Sequence, residues 1–171
     1  MGIIKLFFLL AIFGLAIYIG NLKASKYTNR VKELISVKAA LNILENKIKF
    51  TQTPLEEIFN QIAHNCSEEN IIIIFENLAI NINQKTNIHK SWEKIINQTE
   101  TNLDDEDKKI LTDMGNILGS TDVEGQVSNI KITTSFIDRQ IEKAEKEKEK
   151  NVKLFRTLGI VSGLTIMIIL I

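Results

Sequence analysis

Two long apolar stretches lie at the ends of the chain, and the residues between them place apolar side chains at helical spacing. The first stretch, residues 3–22, has Lys5 as its only charge and is long enough to cross the ~30 Å hydrocarbon core of a bilayer as a helix. The second, residues 154–171, is uncharged only from Thr157 onward, so a full crossing requires Arg156 to extend to the interface. The pattern predicts a transmembrane helix at each end.

Basic residues flank the inner ends of both stretches, and only Lys5 lies on the far side. Because Lys and Arg next to a span favour the cytoplasm, we expect residues 23–156 to be cytoplasmic and both termini to be extracytoplasmic. A cleaved signal peptide would need a site with small residues, and none follows Ile19 cleanly. The first stretch is therefore predicted to remain as a membrane anchor.

The helical spacing of apolar residues continues through residues 23–156, which contain a single proline. The prediction is an all-α, membrane-anchored bundle of about six helices between the N-terminal and C-terminal transmembrane helices. The first of the six runs from about Tyr27 to Ile48 and is able to continue the membrane helix. The others are expected after Pro54, over 68–82, around Trp92, from Asp104 or Asp105, and after Asp122.

Local signals fix several helix ends. Thr53, Pro54 and Leu55 read as a helix start, with Thr53 as N-cap and Glu56 completing a capping box. Gly119 is expected just after a helix that includes Leu118, where a positive φ suits glycine.

A polar turn is expected over 83–87, and Asp122 is expected to cap the last helix with its carboxylate. That helix should bury Val123 and Val127 among other apolar residues, and the Ile71–Phe75 run suggests burial on several sides. The predicted core contains Phe59, Phe75, Trp92, Leu111 and Leu118. Residues 142–153 lose the apolar face and offer Glu142/Lys146, Glu145/Lys148 and Glu149/Lys153 pairs, which predicts a solvated, charged stalk.

Charge and motifs argue against catalysis and against nucleic acid as a partner. All 21 acidic residues and all but one of the 21 Lys and Arg residues lie in 23–156, so this part lacks the basic excess that phosphate binding needs. The single cysteine, Cys66, excludes an internal disulfide. A zinc site would need Cys66, His64, His89 and a carboxylate from separate helices. No nucleotide-binding or hydrolase motif is present, so we expect no catalytic, cofactor-binding or metal site.

Small residues recur at four-residue spacing in both apolar stretches: Ala16 and Gly20 in the first, Gly159 and Gly163 in the second. Small side chains let membrane helices approach closely. The pattern predicts a packing contact, and it leaves open whether that contact joins the two spans or two copies of the chain.

Four blocks of the sequence resemble the stage III sporulation protein AB family of endospore-forming bacteria, in order along the whole chain. These are FTQTPLEEI, SWEK, DKKILTDMGNILGSTDVEGQ and KLFRTLGIVSGLTIMIILI. The most specific positions, similar to the family pattern G-x-x-L-G-x-x-D-x-x-x-Q, are Gly115, Leu118, Gly119, Asp122 and Gln126. Thr53-Pro54-Leu55 and Ser91-Trp92 also match, although family members often have Ala where this chain has Ser91.

The resemblance implies a non-catalytic membrane component of the sporulation assembly that connects mother cell and forespore, encoded alongside an ATPase-like protein. The family is distantly similar to the inner-membrane platform proteins of type II secretion and type IV pilus machines. It implies a location in the mother-cell membrane and contacts with other stage III sporulation proteins. A different interpretation, a membrane-tethered helical signalling or scaffold module, would require heptads that residues 142–153 lack.

Overall fold

A computed structural model describes residues 2–51, 53–83 and 88–170. These residues form six helices and no strand: α1 Gly2–Phe50, α2 Leu55–Asn65, α3 Glu69–Asn83, α4 Ile88–Gln98, α5 Asp105–Gly115 and α6 Val123–Leu170. Both α1 and α6 are long and apolar enough to cross a membrane. The predicted all-α class is confirmed, with a first helix that continues the N-terminal apolar stretch without a break. Residues 84–87 of the predicted polar turn, and Ile171, lie outside the described part.

The chain divides into two compact units. The anchor unit contains the described residues up to Val31 and those from Ala144 onward, and it therefore holds the apolar ends of α1 and α6. The helical domain is Lys32–Lys143 and contains all of α2 to α5.

The core of the helical domain is built around three aromatic rings. Phe59, Phe75 and Trp92 lie with their ring centroids 5.7–6.4 Å apart, a separation typical of tilted and edge-to-face pairs. The indole N–H of Trp92 donates a 2.8 Å hydrogen bond to the carbonyl oxygen of Leu111. All three rings, Leu111 and Leu118 are buried, which confirms the predicted core. Ile73 is exposed, so the 71–75 run is not buried on every side.

A buried carboxylate links three parts of the helical domain. Glu33 of α1 is only 2% exposed and accepts three hydrogen bonds. The backbone N–H and side-chain amide of Asn102 each donate at 2.7 Å, and the side-chain amide of Asn70 donates at 2.8 Å. Because a buried acceptor without a partner costs about 1–3 kcal/mol, these bonds constrain where α3 and the segment before α5 can lie against α1.

Two helix starts differ in how they are capped. Asp104 caps α5, at the start predicted for Asp104 or Asp105: its carboxylate accepts the amide of Asp107, and the Asp107 carboxylate accepts the amide of Asp104, both at 2.9 Å. The capping box predicted for α2 is wrong. Pro54 is its N-cap, no side chain caps the first amides, and the Thr53 hydroxyl instead contacts that of Thr51 at 2.6 Å.

Residues 142–153 are more closely packed than a solvated stalk. Ala144 is buried. Within the anchor unit, Glu147 accepts a 2.7 Å hydrogen bond from Arg30, and within the helical domain, Lys143 forms a 2.7 Å ion pair with Glu106. The prediction that solvent surrounds residues 142–153 on all sides is therefore wrong for the face that carries Ala144. Val123, expected to face inward, is exposed because it opens α6 at a turn.

Replacing Leu111 by Asp should unfold the helical domain, because it buries a charge without a partner at a cost of several kcal/mol against a total stability of about 5–15 kcal/mol. Trp92 is the only tryptophan, and its indole is bonded to the Leu111 carbonyl, so its fluorescence reports on this site. We expect red-shifted emission and a lost thermal transition for the full chain in detergent. The control is Ile80→Asp at an exposed position of α3. A normal transition for Leu111→Asp would show that this face is not the core.

Candidate interaction surfaces

The small residues of the two apolar stretches meet in one contact between α1 and α6 of the anchor unit. A Cβ added to Gly20 would lie 2.7 Å from the carbonyl oxygen of Phe155 and 3.1 Å from the Cα of Gly159. A Cβ added to Gly159 would lie 2.9 Å from the carbonyl oxygen of Ala16. Neither position tolerates a side chain, so the two backbones touch directly there.

Gly163 extends the same contact by one turn. A Cβ at Gly163 would approach the Phe13 ring to 2.7 Å and the Cβ of Ala16 to 3.2 Å. The structure thus brings together all four residues of the small-residue pattern, and it does so within one chain. Gly14, which is not part of the pattern, has nothing within 4 Å of an added Cβ. Since lipid tails are as apolar as the helices, such close packing is what favours helix association in a bilayer.

The family-motif residues form the junction between α5 and α6. Gly119 has a φ of 77°, in the left-handed region that favours glycine. Its N–H donates to the side-chain oxygen of Gln126 at 3.1 Å, while the Gln126 amide donates to the Thr121 carbonyl at 3.0 Å. Asp122 accepts the amide of Gly125 at 2.9 Å, which caps the first turn of α6. These three hydrogen bonds hold together the turn between Gly119 and Gln126.

Gly115 and Leu118 belong to the core side of this junction. The α5 helix ends at Gly115, earlier than predicted, and Leu118 is buried in the turn that follows. A Cβ at Gly115 would fall inside the indole of Trp92, 2.6 Å from Nε1. His89 Nδ1 lies 2.8 Å from the Gly115 carbonyl oxygen, a hydrogen bond in which the ring N–H donates. The glycine is therefore required by close packing.

A groove of about 540 Å³ runs between α5 and α6 of the helical domain. Its apolar surface includes Ile117, Ile132 and Phe136, which remain 39%, 51% and 40% exposed. Charged side chains of both signs border it: Glu106, Lys109, Asp113, Arg139 and Lys143. The Glu106–Lys143 ion pair joins the two walls, and the Arg139 guanidinium lies 4.6 Å from the centre of the Phe136 ring.

Sequence reasoning missed this groove and the buried Glu33. A signal for the groove exists, because Ile132 and Phe136 are four residues apart and off the inward stripe of Ile130 and Ile137. A second apolar stripe on one helix indicates a second contact surface. Glu33 gave no comparable signal, because its partners are distant in sequence.

The histidine and cysteine considered for a metal site lie in ordinary surroundings. His64 is exposed and Cys66 is half-buried at the end of α2. Burial raises the pKa of the Cys66 thiol, and the nearby Ser36 hydroxyl opposes part of that rise. The thiol is therefore protonated and weakly nucleophilic at neutral pH. Across residues 2–51, 53–83 and 88–170, no three His, Cys, Asp or Glu side chains are grouped so that they could hold a metal ion.

Replacing Gly159 and Gly163 by Leu should separate the two apolar helices, because both added side chains would meet the facing helix. The control is Gly14→Leu, which raises helix propensity similarly but enters open space. Cysteines introduced at the exposed positions Tyr18 and Leu158, in a Cys66→Ser background, carry the spin labels. Double electron–electron resonance then measures the distance between the two labels. We expect a longer, broader distance distribution for the double variant, with unchanged Trp92 emission. An unchanged distribution would contradict the contact.

Known proteins resemble this chain in sequence and in fold. The sequence pattern of the stage III sporulation protein AB family matches residues 5–171. Stage III sporulation protein AB of Bacillus subtilis (strain 168) is 26% identical over 150 residues, which cover 86% of this chain and 87% of that protein. A solved structure of a stage III sporulation protein AB, at 22% identity, superposes with a TM-score of 0.64 over 71% of this chain and 98% of the other, and so supports the fold. The chain therefore belongs to the stage III sporulation protein AB family.

Proposed function

We propose that this sporulation protein is a non-catalytic membrane platform, or adaptor, of the channel-like complex between mother cell and forespore. The anchor unit holds it in the mother-cell membrane, and the helical domain binds an ATPase-like companion protein. Family membership supports the sporulation role. The observation that carries the docking role is the apolar groove between α5 and α6, because half-exposed Ile and Phe side chains in a row are typical of a protein-binding surface.

The groove suits a helix of the companion protein. Ile132 and Phe136 are one turn apart on α6, with Ile117 nearby, so the apolar ridge of an amphipathic helix would cover all three. Lys109, Asp113 and Arg139 at the border offer both signs of charge for orienting that helix. Aromatic side chains such as Phe136 commonly dominate the binding free energy of such contacts.

The family-motif junction supports the groove from one end. Ile117 lies two residues before the turn that Gly119 and Gln126 close, so the conformation of this turn sets where α5 and α6 diverge. Gly115, Leu118, Gly119, Asp122 and Gln126 thus act as positioning residues for the binding surface.

We further propose that both termini are extracytoplasmic and that the helical domain is cytoplasmic, because nine basic residues flank the inner ends of the spans and Lys5 alone flanks an outer end. Alkaline phosphatase is active only outside the cytoplasm. We expect an active enzyme when it is fused after Ile171 and an inactive one when it is fused after Phe50, at the end of α1. Activity of the second fusion would overturn the topology.

Replacing Ile132 and Phe136 by Ser should weaken capture of the ATPase-like companion from sporulating cells by about 30-fold, the loss expected when a binding hot spot of about 2 kcal/mol is removed. The matched control is Ile73→Ser with Ile80→Ser, because both residues are exposed on α3 away from the groove lining. Trp92 emission checks that both variants are folded. Equal capture by the groove variant and the parent would place the docking surface elsewhere.

A further inference from the structure

Exposed cations in the anchor unit gather next to the apolar stretches. Five of them, Lys23, Lys26, Lys150, Lys153 and Arg156, are exposed, and we call them the basic collar. No Asp or Glu occurs before Glu33 or after Glu149 in the sequence. The collar therefore lies next to the ends of both apolar stretches, and no acidic residue separates it from either stretch.

Contacts between the two helices bring the collar residues of α1 and α6 to one level. The rings of Tyr27 and Phe155 are stacked, with centroids 5.9 Å apart and an interplanar angle of 18°. The Lys23 ammonium lies 5.7 Å from the centre of the Phe155 ring. Lys153 lies two residues before Phe155, and Arg156 follows it directly. An aromatic pair at the end of an apolar run is typical of the headgroup level of a bilayer.

The collar residues differ from Arg30, a buried cation of the same unit, because an acidic residue neutralises Arg30. Arg30 is 6% exposed, and Glu147 neutralises it at 2.7 Å. In the described part of the anchor unit, no collar residue forms an ion pair. Several like charges beside a low-dielectric slab repel one another, so an anion at the same level stabilises them.

A shallow groove of about 350 Å³ lies on α6 at the level of the collar. It is lined by Lys148, Glu149, Val152, Lys153, Arg156 and Thr157. Val152 supplies an apolar wall, Lys153 and Arg156 supply cations, and Thr157 supplies a hydroxyl. Lys153 and Arg156 lie at the start of the apolar run of α6, so a molecule whose anionic head binds there extends its apolar tail along the span.

We propose that the basic collar binds the headgroup phosphates of anionic phospholipids, which surround the anchor unit in preference to neutral lipids. Lys and Arg form charge-assisted hydrogen bonds to phosphate oxygens, and their long stems reach the headgroups from the ends of the apolar runs. A cluster of four or more cations next to a span is enough for such selection. An acidic protein surface is the competing occupant, and it is less suited because the collar adjoins the uncharged runs.

The test compares lipid retention by three full-length chains. The collar variant carries Lys26→Gln, Lys153→Gln and Arg156→Gln and keeps Lys23, which contacts Phe155. The control variant carries Lys49→Gln, Lys94→Gln and Lys131→Gln, at three exposed positions of the helical domain outside the groove between α5 and α6. Each chain is reconstituted in phosphatidylcholine containing one tenth phosphatidylglycerol and then extracted in mild detergent. Mass spectrometry counts the retained lipids.

We expect the parent and the control variant to enrich phosphatidylglycerol at least about fivefold over the starting mixture. A fivefold preference is about what one cation near an anionic surface provides. The collar variant should retain the starting ratio. Enrichment by the parent should also fall in about 1 M salt, where charges are screened within ~3 Å. The proposal is overturned if the parent shows no enrichment or if the collar variant equals the parent. Loss of a co-purifying protein instead would assign the collar to a protein partner.

Discussion

The indole of Trp92 occupies the space that a Cβ at Gly115 would need, and the arrangement of the helical domain follows from that close approach. The ring packs with Phe59 and Phe75, which lie on α2 and α3, while its N–H is satisfied by the Leu111 carbonyl of α5. A buried indole N–H without an acceptor would cost about 1–3 kcal/mol, so the hydrogen bond fixes the ring's orientation as well as its depth. One side chain on α4 therefore positions three other helices, α2, α3 and α5.

The anchor unit is stabilised by different physics. Water is absent around a bilayer-embedded helix, so burying more apolar area gains little, and close backbone contact has to supply the attraction. Gly20 and Gly159 make that contact because neither has a Cβ, and their Cα atoms and carbonyl oxygens can touch. Beyond this contact lies an ion pair between the buried Arg30 and the half-buried Glu147. Each unit thus uses the interaction that its own solvent makes strong.

The sequence predicted what depends on local spacing and missed what depends on distant partners. Helical periodicity correctly indicated six helices and the aromatic core, and the start of α5 was correctly placed at Asp104 or Asp105. The Thr53 capping box failed because Pro54 already sets the chain direction before α2, and the Thr53 hydroxyl has Thr51 as a nearer partner. Glu33 was not predicted, since Asn70 and Asn102 lie 37 and 69 residues away. The stalk prediction failed in part because helical spacing cannot show what packs against Ala144.

The distribution of exposed apolar side chains on the helical domain bears on how the proposed platform binds a partner. Isolated exposed residues such as Ile80 are common on any surface and require no explanation. Ile117, Ile132 and Phe136 are different because they share one groove, whose walls come from two helices joined by a closed turn. A rigid turn fixes the spacing of the walls before a partner arrives, which lowers the entropic cost of binding. In the proposed platform, the work of the motif residues is therefore done in the unbound protein, by holding the groove in a shape that a helix can enter.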